Sequence, residues 1–553
     1  MNQSSAYENR NLYADDVALQ AAVETFDAAF ANDELHGLGA RWSESAMHEL
    51  ARAANRHEPV HRPFDRDGNR IDAIEFHPAW HALMQEAIAS AAHSAPWTDP
   101  RPGAHAARAA KYLLWSQLEN GTQCPTTMTF AAIPVIARQA GLAARWLPKL
   151  HSREYDPRAL PVEQKSGALM GMGMTEKQGG SDLRANTTRA DPDEAGAYRL
   201  TGHKWFYSAP QCDAHLVLAK IAGEALSCFF VPRLLPDGTR NRIRIQRLKD
   251  KVGNRSNASS EVEFDAAAGW LVGEAGRGIA TILEMGSLTR LDCAIGAAGI
   301  VRAALANAIH HARERSAFGR RLAEQPLMQN VLADLALESE AATWLAMRVA
   351  RAHDADASAS ELLLRRVLTP LAKFWICKRA PPFCAEAMEV LGGNGYVEEA
   401  PLGRLYRESP LNGIWEGSGN VIALDVLRAF GRTPDVRDAL GDELRAARGA
   451  DARYDRSVDE ALAWLASPEA GEAEARRCAE RLALLLEAGL LLRHAPPAVA
   501  SAFIAARLDA RWSGGFGTLP AGIDAGAIVE RALGRGPSRP PAPRPSPQAG
   551  ERA

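Results

Sequence analysis

The amino-acid sequence predicts an α+β protein in which helical regions precede and follow a block of short strands. Apolar residues recur with helical spacing up to about residue 168 and again after about residue 276. Between these regions they alternate or form short blocks, as half-buried strands do. A chain of 553 residues with 46% hydrophobic content also exceeds the size of a single core, so several domains are expected.

The first predicted domain is helical and rich in alanine. Leu83, Met84, Ala87 and Ile88, for example, fall on one face of a helix. The pattern changes to strand character near Leu169 and returns to helix after the strands. The predicted domains are an N-terminal helical domain (1–168), a middle β domain (169–275), a C-terminal helical bundle (276–435), an appended helical domain (436–535) and a proline-rich, disordered tail (536–553).

The middle domain contains short strand-like runs separated by turn residues. Pro236-Asp-Gly and Asp191-Pro-Asp have turn chemistry. About 100 residues of short strands favour a small antiparallel barrel or sandwich. The predicted strands are 198–207, 215–219, 228–232, 243–245 and 262–264.

The third domain has apolar stripes whose length suits a four-helix bundle. We interpret these stripes as bundle core rather than as a ligand-binding surface. The predicted helices are 277–315, 324–352, 358–392 and 417–430.

Composition excludes several classes of protein. The net charge of −3 does not indicate a nucleic-acid binder, although it does not exclude a local basic patch. The seven cysteines contain no Cys-x-x-Cys pair, so no metal site is expected, and their odd number fits reduced thiols in the cytoplasm. No signal peptide and no membrane span are predicted.

Five segments could carry chemistry. In the first, Gly171 to Asp182, four glycines let the backbone approach a ligand, and Thr175 and Ser181 add hydroxyl donors. The alternative is a flexible loop without a ligand. In the second, Gly202-His-Lys-Trp-Phe-Tyr-Ser, adjacent aromatic residues could stack on a planar cofactor or simply pack within a sheet.

The remaining three segments lie in the predicted bundle. Arg315 stands in a basic loop that could meet a phosphate or be a solvated turn. Val390 to Tyr396 is a glycine-rich break that could equally be a helix C-cap. Glu416 lies between an aromatic residue and a glycine, where lost hydration would raise its pKa toward the range of a general base. Its alternative role is a helix cap.

Taken in order, these five segments resemble the motifs of the acyl-CoA dehydrogenase family. The resemblance covers roughly residues 50 to 430 and implies the acyl-CoA dehydrogenase fold with FAD as cofactor. Glu416 would then remove the α-proton of an acyl thioester. The residues to which the resemblance assigns cofactor binding are Met172, Gly173, Met174, Thr175, Gly179, Gly180, Ser181, Phe206, Tyr207, Ser208, Arg315, Phe318, Gly392, Gly393, Ile414, Trp415, Gly417, Ser418, Gly419 and Asn420.

Four stretches resemble one branch of that family more closely, namely the branch associated with the response to DNA alkylation. They are 76–81, 171–182, 248–259 and 414–420, and the appended C-terminal region agrees. This resemblance implies binding of double-stranded DNA through the C-terminal domain and at most weak isovaleryl-CoA dehydrogenase activity. It also implies a homotetramer in which Arg315 and Phe318 reach the FAD of a neighbouring subunit.

The sequence departs from the family pattern at several positions. Lys177 replaces a proline, and Glu389 replaces a glutamine next to the glycine motif. Thr289 fills the position where isovaleryl-type enzymes keep their base, which leaves Glu416 as the candidate base. Phe206 rather than Trp205 takes the position that packs on the flavin ring.

Charge alone does not mark a DNA-binding surface. Residues 436–553 contain 16 Arg, no Lys and 16 Asp plus Glu. Arg428, which lies on one helical face with Arg432, is the candidate DNA contact. The cluster 476–481 holds three arginines among glutamates, which favours a solvated, ion-paired face.

Three hypotheses follow. The protein is a DNA-associated flavoprotein of the alkylation response, a metabolic dehydrogenase of short or branched acyl-CoA, or a scaffold in which FAD is structural.

Overall fold

The computed structural model describes residues 2–194, 196–223, 225–467, 471–508 and 512–534. It confirms the α+β class: a helical N-terminal part, a β-barrel, a helical bundle and a further helical part follow one another along the chain. The predicted disordered tail, 536–553, lies outside the described residues. The predicted domain limits stay predictions, although the β-structure of the described residues is confined to the expected middle region apart from two small hairpins.

The N-terminal part contains eight α-helices, in agreement with its predicted helical character. It also contains one hairpin, which the sequence pattern did not predict. The hairpin forms because Asp65 accepts hydrogen bonds from Asp67 N and Asn69 N, and Gly68, at φ +84°, completes the turn. The elements are α1 (Val17–Thr25), α2 (Asn32–Trp42), α3 (Ser45–Arg56), β1 (Val60–Phe64), β2 (Arg70–Glu75), α4 (Pro78–Ala89), α5 (Ala95–Thr98), α6 (Ala104–Ser116), α7 (Gln123–Ala137) and α8 (Ala140–Leu150).

The middle part is a seven-stranded sheet that closes on itself. The ring runs β6–β4–β5–β9–β7 and returns to β6, while β3 and β8 pair at its outside. The strands are β3 (Met170–Gly173), β4 (Arg189–Pro192), β5 (Tyr198–Ser208), β6 (Ala214–Lys220), β7 (Leu226–Pro232), β8 (Ile243–Leu248) and β9 (Ser259–Val272).

Two expectations for this sheet were wrong. The sheet is mixed rather than antiparallel, because β3 and β4 pair with β6 in parallel. Asp191-Pro-Asp is not a turn throughout: Asp191 and Pro192 end β4, and the turn follows at Asp193, whose N–H donates to Ala197 O. Pro192 is tolerated there because it is the last residue of its strand.

The bundle is organised around α9, which packs against α6, α7, α10 and α11. Its predicted helices agree with the observed ones to within about two residues, apart from the additional short helix α12. The elements are α9 (Gly278–Glu314), β10 (Ser316–Ala317), β11 (Arg320–Arg321), α10 (Pro326–Arg351), α11 (Ala359–Leu391), α12 (Pro401–Glu408) and α13 (Gly419–Arg432).

One helix, α9, is long and apolar enough to cross a membrane by length and composition. Within its most apolar stretch, however, 94% of the residues are buried inside the protein, as in the core helix of a bundle. All seven cysteines, including Cys377 and Cys384, are buried free thiols.

The appended helices are joined to the bundle by a buried ion network. Arg507 binds Asp334 and Glu338, and Arg379 Nε donates to Glu338 Oε1 at 2.8 Å. These four side chains are at most 9% exposed. The appended elements are α14 (Asp435–Arg445), α15 (Ala452–Ala466), α16 (Ala475–His494), α17 (Pro497–Arg507) and α18 (Ala525–Ala532).

Candidate active site

The loop that leaves β3 is held by a buried ion pair. Lys204 Nζ, on β5, donates to Glu176 Oε1 at 2.7 Å and to Leu218 O at 2.8 Å, and both charged side chains are fully buried. Thr187 N also donates to Glu176, at 2.7 Å. Burial opposes ionisation of Glu176, but Lys204 and the hydrogen bonds outweigh it and lower the pKa to about 2. The pair therefore stays charged and fixes the loop against the barrel.

Two glycines of β3, which begins the glycine-rich segment, make room for protein rings rather than for a ligand. A Cβ at Gly171 would lie 2.3 Å from the His215 ring, and one at Gly173 would lie 2.7 Å from the Tyr207 ring. These two rings stack with their centroids 4.0 Å apart. The assignment of Tyr207 to the cofactor is thus wrong for its side chain, which is only 1% exposed and packs into the barrel.

The same loop offers free polar groups at its open end. Thr175 is half-buried and Ser181 is exposed, and within the described ranges neither hydroxyl is hydrogen bonded to another protein group. Thr175 O accepts from Trp205 N at 2.9 Å, which ties the loop to β5. Phe206 follows with 51% of its surface exposed, so its ring is available to pack on a planar ligand.

Glu416 lies on the loop between α12 and α13, close to α9. Thr289 Oγ1, on α9, donates to Glu416 Oε2 at 2.7 Å. Burial raises the pKa of this carboxyl, while the Thr289 hydrogen bond and the charges of Arg290 and Lys373 partly oppose the increase. Thr289 stands where isovaleryl-type enzymes keep their base, and in this protein it donates a hydrogen bond to the candidate base instead.

The backbone at Glu416 has an uncommon conformation, with φ +59° there and φ +106° at Gly417. A non-glycine residue in this region costs about 1–3 kcal/mol and persists only where its surroundings fix it. Arg290 Nε donates to Glu416 O at 3.0 Å, and Lys373 Nζ donates to Trp415 O at 3.0 Å and to Gly417 O. These cations hold the carbonyls that flank the base.

A buried amide next to this region lies against a buried thiol. Asn257 is fully buried, yet neither atom of its side-chain amide is hydrogen bonded within the described residues. It lies against the thiol of Cys124: burial raises the pKa of this thiol, and the contact with the Asn257 amide partly opposes the increase. The amide is therefore a neighbour of the buried thiol, and its complete burial keeps it out of reach of a bound flavin or thioester.

The other predicted residues form a second group at the N-terminal segment. Asn2 accepts from Arg315 Nη1 and donates to Ser316 O at 2.7 Å, while Gln3 accepts from Asn394 Nδ2 at 2.8 Å. In this way the Arg315 loop and the Gly392–Gly393 motif are brought together. Phe318, at φ +52°, is 98% exposed. In the part of the chain that the structure describes, no hydrogen bond links this group to Glu416.

Sequence patterns did not identify several residues that surround the site or fix its loops. Lys204 belongs to a motif that was recognised, but its partner lies on another element. Arg290, Lys373, Cys124 and Asn257 carried no motif of their own, although Asn257 falls in the stretch 248–259 that drew attention by resemblance. Among the described residues, no group of three or more His, Cys, Asp or Glu side chains is arranged to hold a metal ion.

Comparison with known proteins agrees with this geometry. Three family models match: the adaptive response protein AidB N-terminal domain (residues 2–157), the acyl-CoA dehydrogenase middle domain (171–267) and its C-terminal domain (276–431). The AidB protein of Escherichia coli (strain K12) is 50% identical over 512 residues, which cover 92% of this chain and 94% of that protein.

Solved structures show the same fold over most of the chain. ACDH-11 of Caenorhabditis elegans, in complex with C11-CoA, superimposes with a TM-score of 0.82 at 27% identity, covering 96% of this chain and 92% of that one. A structure described as the Bd2924 apo-form gives 0.80 at 31% identity, covering 89% and 99%. The match to the acyl-CoA dehydrogenase family models confirms the expected FAD cofactor and oxidoreductase class. The chain belongs to the acyl-CoA dehydrogenase family of FAD-dependent oxidoreductases, and within that family it is AidB-like.

Proposed function

We propose that this protein is a flavoprotein of the alkylation response that binds double-stranded DNA and has at most weak acyl-CoA dehydrogenase activity. The observation that carries this proposal is the 50% identity to AidB over 92% of the chain, a span that includes appended helices. The matching N-terminal family model, described as that of an adaptive response protein, supports the same conclusion.

The DNA contact that we propose is the exposed face of α13. Arg428 and Arg432 lie four residues apart on this helix and both are exposed. Arg428 also lies near Asp425, which is bound by Arg290 and Arg366. Three arginines around one aspartate leave an excess of positive charge, which favours contact with phosphates.

A salt-resolved titration with double-stranded DNA tests this proposal. We expect the logarithm of the binding constant to fall linearly with the logarithm of salt concentration, and Arg428→Gln to weaken binding and to reduce the slope by about one. Arg445→Gln is the matched control, since Arg445 is exposed and pairs with Asp442 at 3.3 Å on α14. Absence of binding by the wild-type protein at low salt would refute the proposed DNA role.

The base site favours a second function, dehydrogenation of a short or branched acyl-CoA. The Thr289 hydroxyl donates to Glu416 Oε2, whereas among the described residues no group donates to Oε1. Oε1 can therefore accept the α-proton of a thioester. Bound FAD supplies the acceptor for the hydride from the β-carbon. The raised pKa makes the carboxylate a stronger base than an exposed glutamate, and the fixed loop orients it.

Anaerobic bleaching of the flavin by isovaleryl-CoA measures this activity directly. Rapid and complete bleaching without DNA binding would favour the metabolic dehydrogenase. Slow bleaching together with DNA binding is the result that we expect. If neither occurs, the FAD is structural and the protein is a scaffold.

We also propose a homotetramer located in the cytoplasm. Phe318, Tyr396 and Leu327 are large apolar side chains that are 98%, 86% and 77% exposed, and apolar surface of this kind is typical of subunit contacts. Buried, unpaired thiols at all seven cysteines agree with a reducing compartment. Light scattering of the full-length holoprotein tests the assembly, with Phe318→Ser expected to give smaller particles that bind FAD more weakly.

A further inference from the structure

Three cations converge on the segment that follows the base. Lys373 and Lys378 come from α11, and Arg476 comes from α16 of the appended region. A Cβ placed on Gly419 would lie 3.0 Å from Arg476 Nη2 and 3.5 Å from Lys378 Nζ. Lys373 donates to the carbonyls of Trp415 and Gly417, so its charge is already engaged. The ammonium group of Lys378 and the guanidinium group of Arg476 both point at Gly419.

No carboxylate among the described residues compensates Lys378 or Arg476, since neither forms a salt bridge there. Burial and the charges of Arg476 and Lys373 lower the pKa of Lys378. Like charges this close repel one another, and a bound anion would remove that repulsion. The cluster therefore has the electrostatics of an anion site.

The neighbours of Arg476 on α16 behave differently. Arg477 pairs with Glu474 at 3.6 Å, and Arg481 pairs with Glu460 at 2.6 Å. The expectation of an ion-paired face for residues 476–481 thus holds for these two arginines and is wrong for Arg476 within the described chain. Its side chain reaches across to the bundle instead.

We infer that Arg476 and Lys378 bind the diphosphate of FAD, so that the appended helical region is part of the cofactor site. Glu416 must stand beside the flavin ring to act on a thioester. Gly419 follows Glu416 by three residues, so the Cα atoms of these two residues are at most about 11 Å apart. A dinucleotide carries its diphosphate at a comparable distance, one ribityl chain away from the ring. Two uncompensated cations match its two negative charges, and a guanidinium can bind phosphate oxygens in bidentate fashion.

The phosphates of DNA could in principle use the same cations, because both side chains are exposed. The position favours the cofactor: the cluster surrounds the loop that bears Glu416, whereas Arg428 lies further along α13. The experiment must nevertheless separate these two sources of phosphate.

Flavin titration of the full-length apoprotein makes that separation, with quenching of flavin fluorescence as the readout. We expect Arg476→Gln to weaken FAD binding by about tenfold, as for loss of one charge-assisted hydrogen bond. Riboflavin, which lacks phosphate, should bind the variant as it binds the wild-type protein. Lys378→Gln should behave in the same way, and Arg476→Lys should restore part of the affinity.

Arg477→Gln is the matched control, one residue away on the same helix, and should leave the FAD affinity within about twofold. Three outcomes would overturn the inference. These are unchanged FAD affinity in Arg476→Gln, an equal loss of FAD and riboflavin affinity, and a loss of DNA binding alone. Thermal unfolding of each apoprotein variant checks that the fold is retained.

Discussion

The segments Gly171–Asp182 and Ile414–Asn420 both carry residues assigned to the flavin, but their loops are fixed by different means. The first is held from the barrel by Glu176 and Lys204, whose charges cancel within the protein. The second is held from helices by Arg290 and Lys373, which bind its carbonyls. The charges that fix the barrel loop therefore cancel within the protein, whereas the helical loop retains positive charge for a ligand.

The largest effect that this comparison predicts concerns the base. Glu416→Gln should lower the rate of flavin reduction by isovaleryl-CoA by about 100- to 10,000-fold, because the amide cannot take the α-proton. FAD content should stay unchanged, since the barrel loop and the cations remain. Stopped-flow bleaching measures the rate, and Glu398→Gln, whose parent side chain is 71% exposed, is the control. Reduction at the wild-type rate would remove Glu416 from its role.

The second prediction tests the barrel loop. Lys204→Met leaves Glu176 buried without its counter-charge and should lower the free energy of unfolding by about 3–5 kcal/mol. FAD should be lost as well, because the loop is released. The double variant Glu176→Gln/Lys204→Met should recover part of the stability in chemical denaturation. If the single variant is as stable as the wild type, the ion pair does not hold the loop.

The third prediction compares one glycine from each segment, Gly171 in β3 and Gly419 at the start of α13. Gly171→Ala should cost about 1–3 kcal/mol, because the new methyl group meets the enclosed His215 ring. Gly419→Ala should change stability by less than about 0.5 kcal/mol, because it meets only the mobile ends of Arg476 and Lys378. Equal losses in thermal unfolding would mean that both loops are packed equally tightly.

The smallest effect concerns the pH dependence of the base. Burial raises the pKa of Glu416, and the Thr289 hydrogen bond lowers it. Thr289→Val removes the lowering contribution, so the carboxyl stays protonated to higher pH. The acidic limb of the rate of flavin reduction should therefore move to higher pH, while FAD affinity stays the same. A shift toward lower pH would show that Thr289 does not stabilise the carboxylate.

Helical periodicity predicted the bundle well because its stripes are long. The run 277–315 became α9, Gly278–Glu314. The hairpin at residues 60–75 was missed because it interrupts helices and because the one buried residue of its two strands is polar, Asp72, so no apolar alternation marks it. Strand β4 was missed because its four residues include Asp191 and Pro192, which favour turns.

The chemistry of the site was predictable only where it followed motifs. Glu416 was found from its neighbours in sequence, whereas its contact with Thr289 joins residues 127 positions apart. Arg476 was assigned to an ion-paired face because glutamates surround it in sequence, and only the packing of α16 against α13 shows where it points. Pairing across the fold is a property of three-dimensional distance, which spacing along the chain does not encode.

The ion network beneath the appended helices limits how the chain can be shortened. Arg507 is 1% exposed and neutralises Asp334, which is fully buried on α10. A chain that stopped after α13 would leave that aspartate with no guanidinium and would uncover the apolar surface around it. A shorter chain that still folds would need uncharged residues at positions 334 and 338. For the same reason, the appended helices α14–α18 can be exchanged between relatives only together with the bundle.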